Sequence, residues 1–308
     1  MSHPILSICI PTNNRVDILR KTLNSIFEQE ISTELFEVCV SDNSRTDETK
    51  TLIQEEFAHI PNLTYNQSSC EGFLNSIEAL RLGKGILLKL HNDYSMFNEN
   101  ALGRMIDIAI THANERPLIF FSMGTLKIGD DIQKYKDFNT FLYSISYWST
   151  WSSAFSVWKT DFDDFESKHI PVDHMFPHTS VLFYLVHKDK YLVDDFSYVT
   201  NLELKKKGGY NLIDNFNRIY LSMVHDLLER RYIEKNTYDK IETAIIKFSA
   251  SWYSIVKIDK RYSFTFSNKS QIIRQQSGLL GVVKFYSFYI LYHMINLIKM
   301  NVKRIIKA

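Results

Sequence analysis

The stretch Leu6-Ser-Ile-Cys-Ile-Pro-Thr-Asn-Asn-Arg15 predicts how the chain begins to fold. Residues 6–10 form a short apolar run that Pro11 ends, which is typical of a buried strand. Asn13 or Asn14 can cap the next segment, in which apolar residues recur at helical spacing. The stretch therefore predicts a buried strand, a polar turn and an amphipathic helix.

The same alternation continues over the first hundred residues. Further strands are predicted at residues 36–40, 63–65 and 86–90, with helical segments between them. Strands separated by helices of about ten to fifteen residues are typical of βαβ units and a mainly parallel sheet. The sequence therefore predicts an α/β, Rossmann-like domain over residues 1–220 and a helical C-terminal extension over residues 221–308.

Polar clusters follow three of the predicted strands. They are Thr12-Asn13-Asn14-Arg15, Asp42-Asn43-Ser44 and His91-Asn92-Asp93. Ligands of open parallel sheets bind at the carboxyl ends of the strands. The three clusters are therefore expected to face one crevice, which identifies a site without naming its ligand.

Charge is distributed unevenly along the chain. A composition of 45% hydrophobic and 23% charged residues is typical of a globular protein. The segment from Lys260 to Ala308 contains nine basic residues and no acidic one, although the whole chain has a net charge of only +1. This asymmetry predicts an anionic partner for the C-terminal segment, either a membrane surface or nucleic acid.

The C-terminal segment also contains an apolar run, from Phe285 to Ile298, without a charge over fourteen residues. That is shorter than the roughly 18–20 residues needed to span a bilayer. Its aromatic content and the basic residues after it, Lys299, Lys303, Arg304 and Lys307, are typical of a helix at a membrane surface. The alternatives are a helix buried against the core and a homodimer interface. No nucleic-acid recognition module precedes the segment, so a nucleic-acid partner is disfavoured.

The cysteines and the N-terminus bear on location. Cys9, Cys39 and Cys70 show neither metal-ligand spacing nor a disulfide framework, which suits a reducing cytosol. The N-terminus runs almost at once into a strand, and no signal peptide is predicted. The expected location is cytoplasmic and peripheral, on the inner face of the cytoplasmic membrane.

Four segments together resemble family 2 glycosyltransferases. The first stretch resembles that family's opening strand, and Val40-Ser-Asp-Asn-Ser-Arg-Thr-Asp-Glu-Thr49 is similar to its acidic turn. Glu71-Gly-Phe-Leu-Asn75 resembles its N-x-G-x-x-x-N segment, and Gly83-Lys-Gly-Ile-Leu-Leu-Lys-Leu-His-Asn-Asp93 resembles the strand that ends in its metal-binding motif. The order and spacing of all four match, and the resemblance implies a GT-A fold.

The second half of the chain resembles, more loosely, bacterial transferases that build O-antigen and capsule chains. Phe176-Pro-His178 and Lys207-Gly-Gly-Tyr-Asn211 carry this likeness. It implies an inverting enzyme that moves a sugar from a nucleotide-diphospho-sugar, with a UDP-sugar favoured, to a saccharide acceptor that is lipid-linked. The resemblance places Asp42 on the nucleoside. The other donor-binding residues it implies are Pro11, Thr12, Asn13, Arg15, Asn43, Gly72, Asn75, His91, Asn92 and Asp93.

The resemblance also implies a divalent metal, Mn²⁺ or Mg²⁺, that bridges the diphosphate and acts as a Lewis acid. His91-Asn92-Asp93 departs from the all-acidic triplet of the family, and only Asp93 keeps a carboxylate. His91 is the second candidate ligand and suits Mn²⁺ better than Mg²⁺. The alternative interpretation is a turn at the end of a strand.

Two residues are candidates for the catalytic base that inverting transfer requires. The family places this base at the start of a helix, where the carboxylate of Asp173 and the imidazole of His178 are both available; neither is the third option. Trp148, Trp151 and Trp158 are either an aromatic platform for the acceptor sugar or part of the core.

Two rival functions remain. A nucleotidyltransferase of the same fold generally has a Gly-rich N-terminal signature, which is absent from the opening stretch. The second rival is a catalytically eroded sugar-nucleotide-binding or scaffold protein, which His91-Asn92-Asp93 would mark.

Overall fold

A computed structural model describes residues 3–129, 131–204 and 207–307, with Lys207 and residues 300–307 described as backbone only. The chain divides into two compact units, Met1–Glu203 and Leu204–Ala308. The domain boundary predicted at 220/221 lies inside the second unit. The side chains of Lys303, Arg304 and Lys307, named as part of the basic segment, lie outside the described residues.

The elements of the first unit alternate as the sequence predicts. Its strands are β1 (Leu6–Thr12), β2 (Phe36–Asp42), β3 (Leu63–Gln67), β4 (Leu87–Leu90), β5 (Ser95–Phe97), β6 (Leu118–Phe121), β7 (Gln133–Tyr135), β8 (Ser156–Trp158), β9 (Tyr191–Asp194) and β10 (Val199–Asn201). Its helices are α1 (Val16–Phe27), α2 (Glu48–Glu56), α3 (Asn75–Leu82), α4 (Ala101–His112), α5 (Phe138–Ile145), α6 (Lys159–Ser167) and α7 (Pro177–Tyr184).

The main sheet has the strand order β3-β2-β1-β4-β8. Its first four strands are parallel, and β8 joins the edge antiparallel to β4. Thr12 pairs with Asp42, so the ends of β1 and β2 lie side by side. The predicted α/β fold with a mainly parallel sheet is therefore confirmed.

One glycine shows how closely β4 approaches β1. A Cβ on Gly85, just before β4, would lie 2.8 Å from the backbone nitrogen of Ser7. In the native chain, the Gly85 amide instead donates to Ser7 Oγ at 2.8 Å, and Ser7 Oγ donates to Glu37 at 2.6 Å. These contacts join the amino-terminal ends of the strands whose opposite ends carry the polar clusters.

Smaller sheets complete the first unit. β6 and β9 are parallel, β7 is antiparallel to β9, and β5 pairs with β10. The core is formed by apolar side chains on the strands and on α1 and α4, among them Ile8, Leu23 and Met105, which are fully buried.

The second unit contains β11 (Lys207–Asn211), a π-helical segment (Asp214–Tyr220), α8 (Leu221–Glu229), α9 (Lys235–Ile258), β12 (Tyr262–Thr265) and α10 (Lys269–Lys307). Its apolar cluster includes Ile246, Ile273 and Phe285, which are buried. Gly278 interrupts α10 with φ of 66° and ψ of −170°.

Some boundaries differ from the predictions. Pro11 does not end the first strand, because the parallel ladder continues through Pro11 to Thr12. The extension predicted over residues 221–308 is not helical throughout, since it contains β12, which pairs with β11. The short strands β5, β7, β8 and β10 lack the length or alternation that sequence patterns reveal.

Candidate donor site at the carboxyl edge of the sheet

The three predicted polar clusters meet at the carboxyl edge of β1, β2 and β4. Thr12 Oγ1 donates to Asp93 Oδ2 at 2.8 Å, which joins the ends of β1 and β4. Asn13 Nδ2 donates to the carbonyl oxygen of Asn43 at 2.9 Å, which joins the turns after β1 and β2. The strand topology therefore brings together residues that are far apart in the sequence.

Asp93 follows β4 and lies beside the end of β1. Arg15 Nη1 donates to its Oδ1 at 2.8 Å, and Thr22 Oγ1 donates to its carbonyl oxygen at 2.8 Å. The side chain is 2% exposed, whereas that of Arg15 is 39% exposed. Burial raises the pKa of Asp93, and the charge of Arg15 and the hydrogen bond from Thr12 oppose this rise.

The backbone before α1 aims Arg15 at the site. Asn14 has a positive φ of 52°, a left-handed conformation that asparagine tolerates better than most residues. Its amide donates to Ser44 Oγ at 2.6 Å. The Arg15 guanidinium lies 5.7 Å from the centre of the Tyr94 ring. One guanidinium therefore contacts both a buried carboxylate and an aromatic face while part of it remains open to solvent.

Asp42, at the end of β2, is completely buried. Its Oδ1 accepts hydrogen bonds from the Ser44 amide, at 2.9 Å, and from the Ser44 hydroxyl. Its Oδ2 accepts from the Tyr65 hydroxyl at 3.1 Å. Burial and the nearby charge of Asp42 raise the pKa of Tyr65, so this phenol remains a donor at neutral pH.

Asn75 connects the site residues behind this edge. Its Nδ2 donates to the carbonyl oxygens of Thr12, at 3.1 Å, and Ser41, at 2.8 Å, and its Oδ1 accepts from the Ser41 hydroxyl. The carbonyl oxygen of Gly72 accepts from Asn43 Nδ2 at 3.1 Å. The structure thus gives Asn75 a positioning role, because its amide is occupied by the protein itself.

His91 lies in the core rather than at the surface of the site. Its ring stacks on Phe97 with 4.5 Å between centroids, and its Nε2 donates to the Ser95 carbonyl oxygen at 2.6 Å. Burial and the neighbouring Lys89 lower the pKa of His91 to about 3. Nε2 is committed to Ser95, whereas Nδ1 has no hydrogen-bond partner among the described residues, so the role of His91 as a metal ligand stays a prediction.

Asn92 links the edge to the segment before β8. Its Oδ1 accepts from Ser152 Oγ at 3.0 Å, and its Nδ2 donates to the Tyr94 hydroxyl at 3.0 Å. Trp151 precedes Ser152 and lies 5.6 Å from Trp148, centroid to centroid, and both rings are partly exposed. The hydrogen bond of Ser152 therefore connects the segment that carries these two tryptophans to the carboxyl edge of the sheet.

Trp158 does not belong with them. It lies in β8 with 2% of its surface exposed, and its Nε1 donates to the carbonyl oxygen of Pro117 at 2.6 Å. The platform role considered for Trp158 is corrected by this burial, since a sugar could not reach the ring.

The two candidate bases occupy different environments. His178 is buried near Phe155, and burial lowers its pKa to about 4. Asp173 is half-buried before α7, where its Oδ1 accepts from the amides of Met175 and Phe176, both at 2.8 Å. The burial of His178 argues against its taking the proton of an acceptor hydroxyl, and the role of Asp173 as the base stays a prediction.

A metal ion would have few protein ligands here. Within the described ranges, no group of three or more His, Cys, Asp and Glu side chains could hold one. Magnesium is often bound by one or two carboxylates together with substrate phosphates. Asp93 fits an ion shared with a phosphate, because Thr12 and Arg15 each bond one of its two oxygens and each oxygen can accept a second contact.

Several contacts of the site were not found from the sequence. Tyr65, Thr22 and Ser152 each hydrogen-bond a predicted site residue. The register of β3 against β2, which pairs Val40 with Tyr65, is the signal that could have identified Tyr65. Nothing in the local pattern marks Ser152, which lies 60 positions after Asn92.

Comparisons with known proteins agree with this geometry. The fold is shared with S. aureus TarS 1-349 in complex with UDP-GlcNAc, with a TM-score of 0.61 and 14% identity over 94% of this chain and 90% of that one. It is also shared with the mannosyltransferase PcManGT from Pyrobaculum calidifontis in complex with GDP-Man and Mn²⁺, with a TM-score of 0.56 and 10% identity over 94% and 88% of the two chains. The fold is therefore that of the GT-A glycosyltransferases.

The family follows from the sequence matches. Residues 7–76 match the model of glycosyl transferase family 2. The abequosyltransferase RfbV of Salmonella typhimurium is 47% identical over 49 residues, and the validoxylamine A glucosyltransferase of Streptomyces hygroscopicus subsp. jinggangensis is 44% identical over 54 residues. These stretches cover 16% and 17% of this chain, but only 15% and 13% of the two relatives. The predicted resemblance to family 2 glycosyltransferases is therefore confirmed over residues 7–76.

Proposed function

We propose that the protein is an inverting glycosyltransferase that moves a sugar from a nucleotide-diphospho-sugar to a hydroxyl of a saccharide acceptor. The observation that carries this proposal is the convergence of Asp42, Asp93 and Arg15 at one edge of the sheet, in a chain with a family 2 domain. The edge offers acceptors for a nucleoside at Asp42 and a cation for a diphosphate at Arg15.

Each residue of the edge has a role in this proposal. Asp42 is oriented by Ser44 and Tyr65, and would accept hydrogen bonds from the nucleoside. The Arg15 guanidinium would bind diphosphate oxygens, a geometry for which arginine is well suited. A divalent ion between Asp93 and the diphosphate would supply Lewis-acid stabilisation of the leaving group. A UDP-sugar is the favoured donor, and the structures with UDP-GlcNAc and GDP-Man support donors of this chemical class.

The acceptor would approach from the side of Trp148 and Trp151, whose rings can pack against the C–H face of a sugar. Asp173 would take the proton of the acceptor hydroxyl as its oxygen attacks the anomeric carbon. The new glycosidic bond forms while the bond from the anomeric carbon to the phosphate oxygen breaks, and the nucleoside diphosphate leaves. The configuration at the anomeric carbon therefore inverts in one displacement.

The biological setting is a further part of the proposal. It places the acceptor saccharide on a membrane lipid, in the synthesis of a bacterial surface polysaccharide such as O-antigen or capsule, with the protein at the inner face of the cytoplasmic membrane. Support comes from the match to a bacterial abequosyltransferase and from the basic, apolar C-terminal segment.

Nucleotide binding tests the donor site directly. The melting temperature would be measured with UDP, GDP, CDP and dTDP, each with Mn²⁺ and with a chelator, for wild type, Asp93→Ala and the exposed control Asp189→Ala. We expect one nucleotide to raise the melting temperature of wild type and of Asp189→Ala, but not that of Asp93→Ala. No shift with any nucleotide would contradict the transferase proposal.

One observation favours the scaffold alternative as a second candidate: His91, which replaces an acid of the family motif, is buried and hydrogen-bonded to Ser95. The two functions differ in turnover. Release of nucleoside diphosphate from a nucleotide-sugar in the presence of saccharide acceptors supports the transferase. Tight nucleotide binding without any release across the donor panel supports the scaffold.

A further inference from the structure

The helix α10 exposes a continuous apolar stripe after the break at Gly278. We define the stripe by six residues: Leu279, Val283, Ile290, Leu291, Met294 and Ile298, which are 66%, 54%, 56%, 47%, 52% and 63% exposed, respectively. Their spacing of mostly three, four or seven positions places them on one side of the helix. At a rise of about 1.5 Å per residue, the stripe is roughly 28 Å long. Exposed apolar surface of this extent marks a binding surface.

The opposite side of α10 is committed to α9. Phe285 is fully buried, in a cluster with Ile246 and Ala250 of α9. Farther along, His293 Nδ1 and Asn296 Nδ2 lie 3.3 Å and 3.0 Å from Ser254 Oγ. The helix is therefore already packed on one side, and the stripe is exposed among the described residues of the second unit.

The charged residues of α10 are all basic. From Lys260 onward the sequence contains no acidic residue, and Lys284 and Lys299 lie on α10 itself. On α9, Lys247 lies 5.2 Å from the centre of the Phe288 ring. Apolar surface bordered by cations is complementary to a bilayer with anionic headgroups, where each basic side chain contributes about 1 kcal/mol.

Two arrangements in a membrane are conceivable, and the structure separates them. The segment Lys269–Lys299 is long and apolar enough to cross a bilayer, and 11% of its most apolar window is buried. However, a spanning α10 would have to leave α9 or carry it into the hydrocarbon, together with Lys247 and the polar contacts at Ser254. Charged groups are strongly disfavoured there. A helix that keeps its α9 contacts can bury only the stripe.

We propose that α10 lies in the plane of an anionic membrane surface, with the stripe in the acyl boundary and the flanking lysines at the headgroup phosphates. This inference deepens the proposed function and rests on its membrane setting. Nucleotide binding at the carboxyl edge and vesicle binding by α10 are measured separately, so failure of one is distinguishable from failure of the other.

Vesicle flotation of the full chain tests the proposal. The double variant Ile290→Glu/Met294→Glu would be compared with Leu35→Glu/Ile110→Glu, which introduces the same charge at exposed apolar residues of the first unit. On vesicles of phosphatidylcholine with phosphatidylglycerol, we expect the stripe variant to lose about tenfold or more of the binding, and the control variant less than about twofold. Wild type should bind phosphatidylcholine vesicles more weakly, and salt should weaken its binding to the mixed vesicles.

Three results would overturn the proposal. Equal losses in the two variants would show that added negative charge, not the stripe, decides binding. Retention of the bound protein after alkaline carbonate extraction would indicate a spanning helix. A dimer in sedimentation that the stripe variant abolishes, without any vesicle binding by wild type, would identify a second copy as the partner. Circular dichroism melting curves that match wild type would show that both variants are folded.

Discussion

Arg15 Nη1 lies 2.8 Å from Asp93 Oδ1, although the two residues are 78 positions apart in the sequence. The pair joins the helix start after β1 to the end of β4. Its members differ in environment, because the carboxylate is buried and the guanidinium is partly in solvent. The partly exposed guanidinium of Arg15 can therefore contact a ligand, and the buried carboxylate of Asp93 holds it in position.

Removal of the guanidinium should destabilise the fold most at neutral pH. In Arg15→Ala the pKa of Asp93 loses a lowering influence and rises further above its usual value. A buried carboxyl with a raised pKa is costly while it is charged, so the deficit should be about 1–3 kcal/mol near pH 7 and should shrink as pH falls through that pKa. Urea unfolding across this pH range measures it.

The exposed arginine variant Arg45→Ala is the control for this experiment and should lie within about 0.5 kcal/mol of wild type. In an Asp93→Asn background, the effect of Arg15→Ala should be much smaller. A deficit that is independent of pH and of Asp93 would show that Arg15 stabilises the fold by packing alone.

The buried histidines should make the protein sensitive to mild acid. Burial lowers the pKa of His178 to about 4 and that of His91 to about 3, so both are neutral in the folded state near pH 7. Their contribution to the free energy of unfolding is fully present above the pKa of histidine in the unfolded chain, about 6.5. As pH falls below that value, each histidine reduces the free energy of unfolding by about 1.4 kcal/mol per pH unit. His178→Asn should reduce the slope of unfolding free energy against pH by the amount due to one proton, whereas the exposed control His59→Asn should leave the slope unchanged. Urea unfolding between about pH 7 and 5 gives the slope.

Lys89 should change stability in the same direction as the histidines, but at alkaline pH. It is fully buried, its Nζ donates to the carbonyl oxygens of Leu90 and Ser153, and burial lowers its pKa to about 7. Between about pH 7 and 10 the unfolded chain binds this proton and the folded chain does not, so stability should increase with pH. The difference in unfolding free energy, Lys89→Met minus wild type, should fall by about 1.4 kcal/mol per pH unit in this range. For the exposed Lys21→Met it should stay constant; a constant difference for Lys89→Met would show that the amine is charged throughout.

Asn75→Asp should destabilise the carboxyl edge of the main sheet. The substitution preserves size but directs an oxygen, instead of Nδ2, at the carbonyl oxygens of Thr12 and Ser41. Two buried hydrogen bonds are lost, and we expect the free energy of unfolding to fall by about 2–4 kcal/mol. Chemical denaturation measures the loss, and Asn66→Asp, at an exposed position of β3, should stay within about 0.5 kcal/mol of wild type. Comparable losses at both positions would contradict the positioning role of Asn75.

The parts of the site that the sequence predicts are those that strand ends determine. Asp42 and Asp93 follow apolar runs directly, so their positions at the sheet edge follow from the parallel topology. Tyr65 and Ser152 were not predicted, because their contacts depend on strand register and on a long excursion of the chain.

The burial of His91 and His178 could not be predicted from the sequence. The sequence does not show whether a polar residue beside a motif faces a ligand or the core. His91 and His178 fall in slots where the family places functional residues, but Phe97 and Phe155 cover them. Only three-dimensional packing distinguishes the two cases. The short strand β12 was likewise missed, because its partner β11 lies some fifty residues earlier in the chain.

Under the proposed function, the hydrogen bonds of Asn75 limit how the preference for a sugar donor can change. One amide fastens the end of β1 to the end of β2, so Thr12 and Asp42 cannot be moved apart independently. New donor preferences must therefore arise from side chains attached to this frame, such as Tyr65, and not from changes in the spacing of the frame. For protein engineering, the frame is the part to leave untouched, and Tyr65 and its neighbours on β3 are the positions to randomise.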